Sequence, residues 1–135
     1  MSLKGKRIFY VEDDIKNKAI AQIILEQAGV VFAFERWGSE NTIFKLRAFM
    51  PVDLIMLDLV LPRGVSGYDV FDAIRAEPEL GHIPIVAVSA ADPSMEIPKT
   101  REKGFAGFIG KPISLQLFPQ QVAELLNGGN VWYAR

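Results

Sequence analysis

The sequence predicts an α/β fold: a doubly wound, five-stranded parallel sheet with helices on both faces. Three observations predict it. Short apolar runs alternate with helix-like segments five times, which is the pattern of successive βα units. Most of the runs are apolar throughout, as strands buried on both faces are, rather than alternating in polarity. Finally, the runs end on chemistry. Arg7-Ile8-Phe9-Tyr10-Val11 leads into Glu12-Asp13-Asp14, residues 52–57 into Asp58, residues 83–88 into Ser89, and Phe108-Ile109-Gly110 into Lys111-Pro112. In an open parallel sheet, ligands bind outside the carboxyl ends of the strands. Carboxylates, a hydroxyl and an ammonium therefore collect at one rim, a set suited to a divalent metal and a phosphoryl group.

Taken in order, the first strand is followed by a helix over residues 15–28, with Asp14 as its cap and an apolar stripe of Ile15, Ala19, Ile20, Ile23, Ile24 and Ala28. Gly29 stands at its stop. Residues 30–34 form a second strand, and Ser39 caps a helix that runs to about Phe49, before Pro51. The Asp58 strand is followed by the loop 61–67 and a helix over 68–76. Pro84 opens the Ser89 strand, a helix ends at Gly104, a short strand reaches Ile109 and a last helix runs to about Leu126. Two prolines disturb this plan. An interior Pro98 costs about 3 kcal/mol, which favours a short helix beginning there over one beginning at Pro93. Pro119 kinks the last helix or sits in its first turn. Residues 127–135 read as a fraying tail in which Trp132 is able to dock.

Composition narrows the functional classes. The 135 residues make one domain, half of them apolar, with a net charge of −1. No basic field favours nucleic acid. No apolar stretch reaches the roughly 18 residues needed to span a bilayer, and the N-terminus lacks an apolar signal core. These features predict a cytoplasmic protein that binds neither nucleic acid nor membrane. With no cysteine and one histidine, thiolate and histidine-rich metal sites are excluded. His82 reads as an exposed loop residue, and Trp37 and Trp132 as packing residues or partner contacts.

In order and spacing, the motifs resemble the receiver domain of two-component response regulators, with residues 6–126 as the receiver and 127–135 as a C-terminal tail. Glu12-Asp13 resembles the family's acidic pair. Asp58, within Ile55-Met56-Leu57-Asp58-Leu59, resembles the phosphoacceptor, and Ser89-Ala90 the hydroxyl-small pair. Lys111-Pro112-Ile113 resembles the lysine followed by a cis-linked proline, and Phe108 falls at the switch aromatic. The resemblance implies a flavodoxin-like (βα)5 fold with strand order 2-1-3-4-5. It implies magnesium, with manganese as a possible substitute, bound by Asp13 and Asp58 directly, by Glu12 through water and by the backbone carbonyl of Val60. It also implies Lys111 and Ser89 on the phosphoryl oxygens, Ser89 and Phe108 as readers of state, and an output face on the fourth and fifth helices and the fifth strand. The donor would be a sensor histidine kinase or histidine phosphotransfer protein, and the output partner is not specified. Such a domain is not a turnover enzyme on an external substrate.

The chemistry needs these residue types. Attack of a carboxylate on a phosphoryl group requires in-line approach and neutralised equatorial charge. Two carboxylates about 4 Å apart repel by about 4 kcal/mol at an effective dielectric of 20, a cost that a metal offsets. Two departures from the family pattern stand out. Gly67 lies five residues after Pro62, one more than usual, and neither Val60 nor Ala91 has a side chain able to position an attacking water. Slow self-dephosphorylation is therefore expected. Two other readings compete: a pseudo-receiver that binds partners without phosphorylation, and a haloacid-dehalogenase-like phosphohydrolase, which would want an acid where Val60 stands.

Overall fold

The computed structural model describes residues 2–134. Strands β1 (Arg7–Val11), β2 (Val31–Glu35), β3 (Leu54–Leu57), β4 (Ile85–Ser89), β5 (Gly107–Gly110) and β6 (Val131–Tyr133) alternate with helices α1 (Ile15–Gln27), α2 (Glu40–Phe49), α3 (Gly67–Arg75), α4 (Pro93–Lys103) and α5 (Phe118–Leu126). All strand pairs are parallel, in the order β2-β1-β3-β4-β5-β6. Alternate strand residues face opposite sides, which divides the core in two. Phe9, Val11, Ile55, Leu57, Ala87 and Phe108 pack with Leu46, Val70, Phe71 and Ile74 from α2 and α3. Ile8, Tyr10, Leu54, Met56, Val86, Val88 and Ile109 pack with Ala21, Leu25, Phe118, Val122 and Leu125 from α1 and α5.

The caps explain the helix starts. The side chains of Asp14, Ser39, Ser66 and Asp92 each accept a hydrogen bond from a backbone N–H of the first turn they precede. Pro119 lies in the first turn of α5, where a missing N–H costs nothing. His82 is exposed, as expected for its loop. Lys111-Pro112 and Met50-Pro51 are both cis. Among the described residues, no helix is long and apolar enough to cross a membrane.

Three expectations need correction. The sheet has six strands rather than five, because the tail does not fray. Its Val131, Trp132 and Tyr133 pair with Gly107, Phe108 and Ile109. Asn130 donates to the Ala106 carbonyl at 2.8 Å, and the Arg101 guanidinium sits 4.6 Å from the Trp132 ring. Gly107 permits this approach, since a Cβ there would lie 2.2 Å from the Val131 carbonyl oxygen.

Second, α4 begins at Pro93 and carries Pro98 inside it. Asp92 offsets part of the cost of the interior proline by accepting from both the amide and the hydroxyl of Ser94. The Thr100 hydroxyl donates to the carbonyls of Glu96 and Ile97 in the turn around Pro98.

Third, the apolar stripe of α1 is out of phase. Ala21 and Leu25 are buried, whereas Ile15 and Ile23 are 66% and 57% exposed. The helix is apolar around much of its circumference, so periodicity alone does not choose the buried side.

Trp132→Ala removes the aromatic contact that seats β6. It should lower the unfolding free energy by about 1–2 kcal/mol in urea denaturation. An unchanged midpoint would mean that β6 contributes nothing to the fold.

Candidate functional site: an acidic cleft at the strand ends

The carboxyl ends of β1, β3, β4 and β5 open onto a cleft of about 460 Å³ lined by Glu12, Asp13, Asp14, Asp58, Val60, Ser89, Ala91 and Lys111. Parallel register aligns these ends. Val11 pairs with Leu57, and Ser89 pairs with Gly110, so the residue after each strand emerges at one level. Lys111 bridges two of the ends. Its Nζ lies 2.7 Å from Glu12 Oε1 and 2.9 Å from Asp58 Oδ2. All three side chains are nearly closed off, at 8% exposure for Lys111, 2% for Glu12 and 9% for Asp58.

Each member is further held. The Lys111 amide donates to the Ser89 carbonyl at 2.9 Å. The Ser89 hydroxyl accepts from the Ala91 amide at 3.1 Å. Asp58 Oδ1 accepts from the Val60 amide at 3.2 Å, and Glu12 Oε2 accepts from the Asp14 amide at 3.3 Å.

The loop after Asp58 takes up its extra residue in a tight turn. Pro62–Gly64 makes a single 3-10 turn in which Arg63 takes a left-handed conformation (φ 61°) and Gly64 follows at φ 71°. A non-glycine residue there costs about 1 kcal/mol. The Arg63 guanidinium, 4.9 Å from the Trp37 ring, offsets part of that strain. The loop then returns to the sheet: the Gly67 amide donates to the Leu59 carbonyl at 2.8 Å. A Cβ on Gly67 would lie 2.3 Å from the Asp58 carbonyl oxygen, so no larger residue fits.

Charge decides the energetics. Burial pushes the Glu12 carboxyl above its ordinary range, and the nearby Asp58 charge adds to that, while Lys111 pulls it back. Burial alone would lower the Lys111 ammonium. The charge of Asp58 and the hydrogen bonds to Glu12 and Asp58 outweigh burial, so its pKa is raised. A lysine raised on folding contributes stability that is complete below its unfolded value near 10.5 and is lost as pH climbs through the folded value. Glu12, also raised, has the same sign in a lower window: its contribution is present when it is protonated, below its ordinary value near 4.5, and is lost as pH climbs, so its ionised form works against the fold at neutral pH. Lys111 is the group that offsets this cost.

Of the residues the sequence singles out, Glu12, Asp13, Asp58, Val60, Ser89 and Lys111 all line this cleft. Phe108 does not; it is fully buried one layer below, beside Trp132 in the same core. Asp14 caps α1. Two participants escape a reading of the sequence. Tyr10, which reads as a core residue, sends its hydroxyl to Glu12 Oε1 at 3.1 Å, and burial followed by the Glu12 charge raises its pKa well above the tyrosine norm. Arg36, just past β2, has Nη2 3.3 Å from Asp13 Oδ1. Alignment of the ends of β1 and β2 is the signal that would have pointed to Arg36.

The donor set is all hard oxygen: three carboxylates and the Val60 carbonyl, with no thiolate in the chain. That chemistry fits magnesium or manganese rather than a soft metal. Among the described residues, no three acidic or histidine side chains converge at ligand spacing. Magnesium does not need such a cage, because it keeps several waters. Lys111→Met should leave Glu12 and Asp58 as facing, unpaired buried charges. We expect a loss of about 3 kcal/mol at neutral pH in urea denaturation, partly recovered by added magnesium chloride; full wild-type stability would contradict the charge balance described above.

Comparison with known proteins agrees with this geometry. Residues 8–123 match the family described as the response regulator receiver domain. The chain is 32% identical over 121 residues to the polar-differentiation response regulator DivK of Brucella ovis, covering 90% of this chain and 96% of that one. Among solved structures, the non-phosphorylated HemR receiver domain of Leptospira biflexa superposes with a TM-score of 0.77 at 26% identity, covering 96% of this chain and 97% of that one. The receiver domain of the sensor histidine kinase PA1611 of Pseudomonas aeruginosa, described with a magnesium ion in its active-site cleft, superposes at 0.75 with 22% identity, covering 91% and 98%. The match over residues 8–123 and the 32% identity across nearly the full length of DivK show that the chain belongs to the response regulator receiver domain family.

Proposed function

We propose that Asp58 accepts a phosphoryl group from a phosphohistidine donor in a magnesium-dependent reaction and that the protein then acts by binding a partner. The observation that carries this reading is the Lys111 ammonium held between Asp58 and Glu12. A carboxylate oxygen of Asp58 attacks phosphorus, an O–P bond forms as the donor's N–P bond breaks, and the electron pair of that bond stays on the imidazole. Asp13, Asp58, the Val60 carbonyl and, through water, Glu12 are the groups to hold the metal, which supplies positive charge for the equatorial oxygens. Lys111 and the Ser89 hydroxyl take the remaining phosphoryl oxygens.

Ser89 and Phe108 read the state. Phe108 already lies inside the core, paired in register with Trp132, so the signal passes to β6 as well as to α4 and α5. The edge of β5 that the α4-β5-α5 face would present is covered by β6, and the output face becomes α4, β6 and α5. The signalling unit is residues 6–126, and the 127–135 tail adds β6 (Val131–Tyr133) to it; Arg135 lies outside the described residues. The exposed Ile15, Ile20 and Ile23 of α1, the helix whose first turn borders the cleft at Asn17, offer apolar surface to a histidine kinase or phosphotransfer donor. The setting is cytoplasmic, where such donors present their phosphohistidine.

With acetyl phosphate and magnesium, intact-mass measurement should show one added phosphoryl on the wild type and none on Asp58→Ala. An unmodified wild type would leave the pseudo-receiver reading. The phosphorylated protein should also lose its phosphoryl slowly, because the Val60 and Ala91 side chains offer an attacking water no hydrogen bond. Val60→Asn and Ala91→Glu should each lose it several-fold faster, and decay of the wild type ahead of both variants would contradict this.

A further inference from the structure

Glu12, Asp13 and Asp58 each have a basic partner, but the partners differ in kind. Lys111 holds Glu12 and Asp58 from a closed position. Arg36 holds Asp13 through one contact of 3.3 Å, with the two side chains 45% and 42% exposed. We propose that Arg36 is a tethered counter-ion of Asp13 that competes with the divalent cation for this carboxylate and so sets the metal affinity of the cleft. This rests on the phosphoacceptor reading and adds a residue to it.

The loop that carries Arg36 is fixed on both sides. Val11 pairs with Glu35, which brings the residue after β2 alongside the acidic pair after β1. Glu35 is buried, and its carboxylate accepts from the amides of Trp37 and Gly38, each at 2.9 Å, and from the Thr42 hydroxyl. The Glu35 carbonyl accepts from the Glu12 amide at 3.0 Å. Arg36 therefore projects from a backbone locked to the end of β1. Its guanidinium lies 5.0 Å from the Trp37 ring, and that of Arg63 lies 4.9 Å from the same ring, so positive charge gathers beside the acidic rim.

A guanidinium does not shed its proton at any working pH. A cation that takes Asp13 must therefore displace Arg36 and then face its charge at short range, because the stacked, anchored loop keeps the guanidinium nearby. The affinity is lower than the carboxylates alone would give. It is also salt-sensitive, since the Arg36–Asp13 pair is exposed.

The test is a magnesium chloride titration followed by amide and indole NMR shifts in wild type, Arg36→Ala, Arg36→Gln, Arg36→Lys and Asp13→Asn. The same spectra report whether each variant is folded. Arg36→Ala and Arg36→Gln should bind magnesium about two- to fivefold more tightly. Arg36→Lys should stay close to wild type, and the gap should narrow at high salt. Equal or weaker binding by Arg36→Ala and Arg36→Gln, with Asp13→Asn still impaired, would overturn the role of Arg36 alone. A wild type that binds no magnesium, or an Asp13→Asn that binds as well as wild type, would overturn the phosphoacceptor reading with it.

Discussion

The Lys111 ammonium held by Glu12 and Asp58 is the contact around which the molecule is arranged. It joins chain segments 99 and 53 residues apart, and it places three ionised groups where water is largely excluded. Removing any partner from such a set is costly, because the group left behind has lost its hydration and gained nothing. The surrounding hydrogen bonds follow from that constraint. The Tyr10 hydroxyl and the Asp14 amide complete Glu12, the Val60 amide completes Asp58, and the backbone of Ser89 fixes the start of the lysine segment.

The same arrangement explains why a signalling site has this form. A carboxylate that must accept a phosphoryl group has to be accessible and yet kept from repelling it. Lys111 does part of this from within, and the open, oxygen-lined side of the cleft leaves room for a hard cation to do the rest. Burial raises the Glu12 carboxyl and so opposes its ionised form, and the Lys111 ammonium works against that. A cation or a phosphoryl group bound here would change the charge balance at the strand ends directly.

Beyond β5 the chain departs from the five-stranded plan its sequence suggests. The sixth strand lies along β5 and sets Trp132 beside Phe108, with Arg101 of α4 stacked on the indole. An edge strand is normally open to another chain. Here the chain covers β5 itself and presents the short strand β6 in its place. The longer loop after Asp58 is absorbed in the opposite way, by a tight left-handed pair at Arg63 and Gly64 that leaves Gly67 pressed against the Asp58 backbone.

The sequence alone determined the alternation of strands and helices, the caps at Asp14 and Ser39 and the acidic, hydroxyl and lysine residues that meet at the rim; between a kink and a first-turn place for Pro119, the structure chose the first turn. These are local matters or matters of order along the chain: apolar runs mark buried strands, side-chain oxygens mark helix starts, and parallel strands deliver their ends to one side. Tertiary structure decided which side of α1 is buried, because a helix rich in isoleucine satisfies several phases and only the sheet beneath selects one. It decided that α4 would run through Pro98, with the Asp92 cap and the Thr100 hydroxyl bonds offsetting part of a penalty that the sequence weighs residue by residue. It decided that residues 131–133 would join the sheet, since three residues carry too little pattern to announce a strand until β5 offers its edge. And it brought Arg36 to Asp13, a pairing set by the register of two strands, which no spacing along the chain encodes.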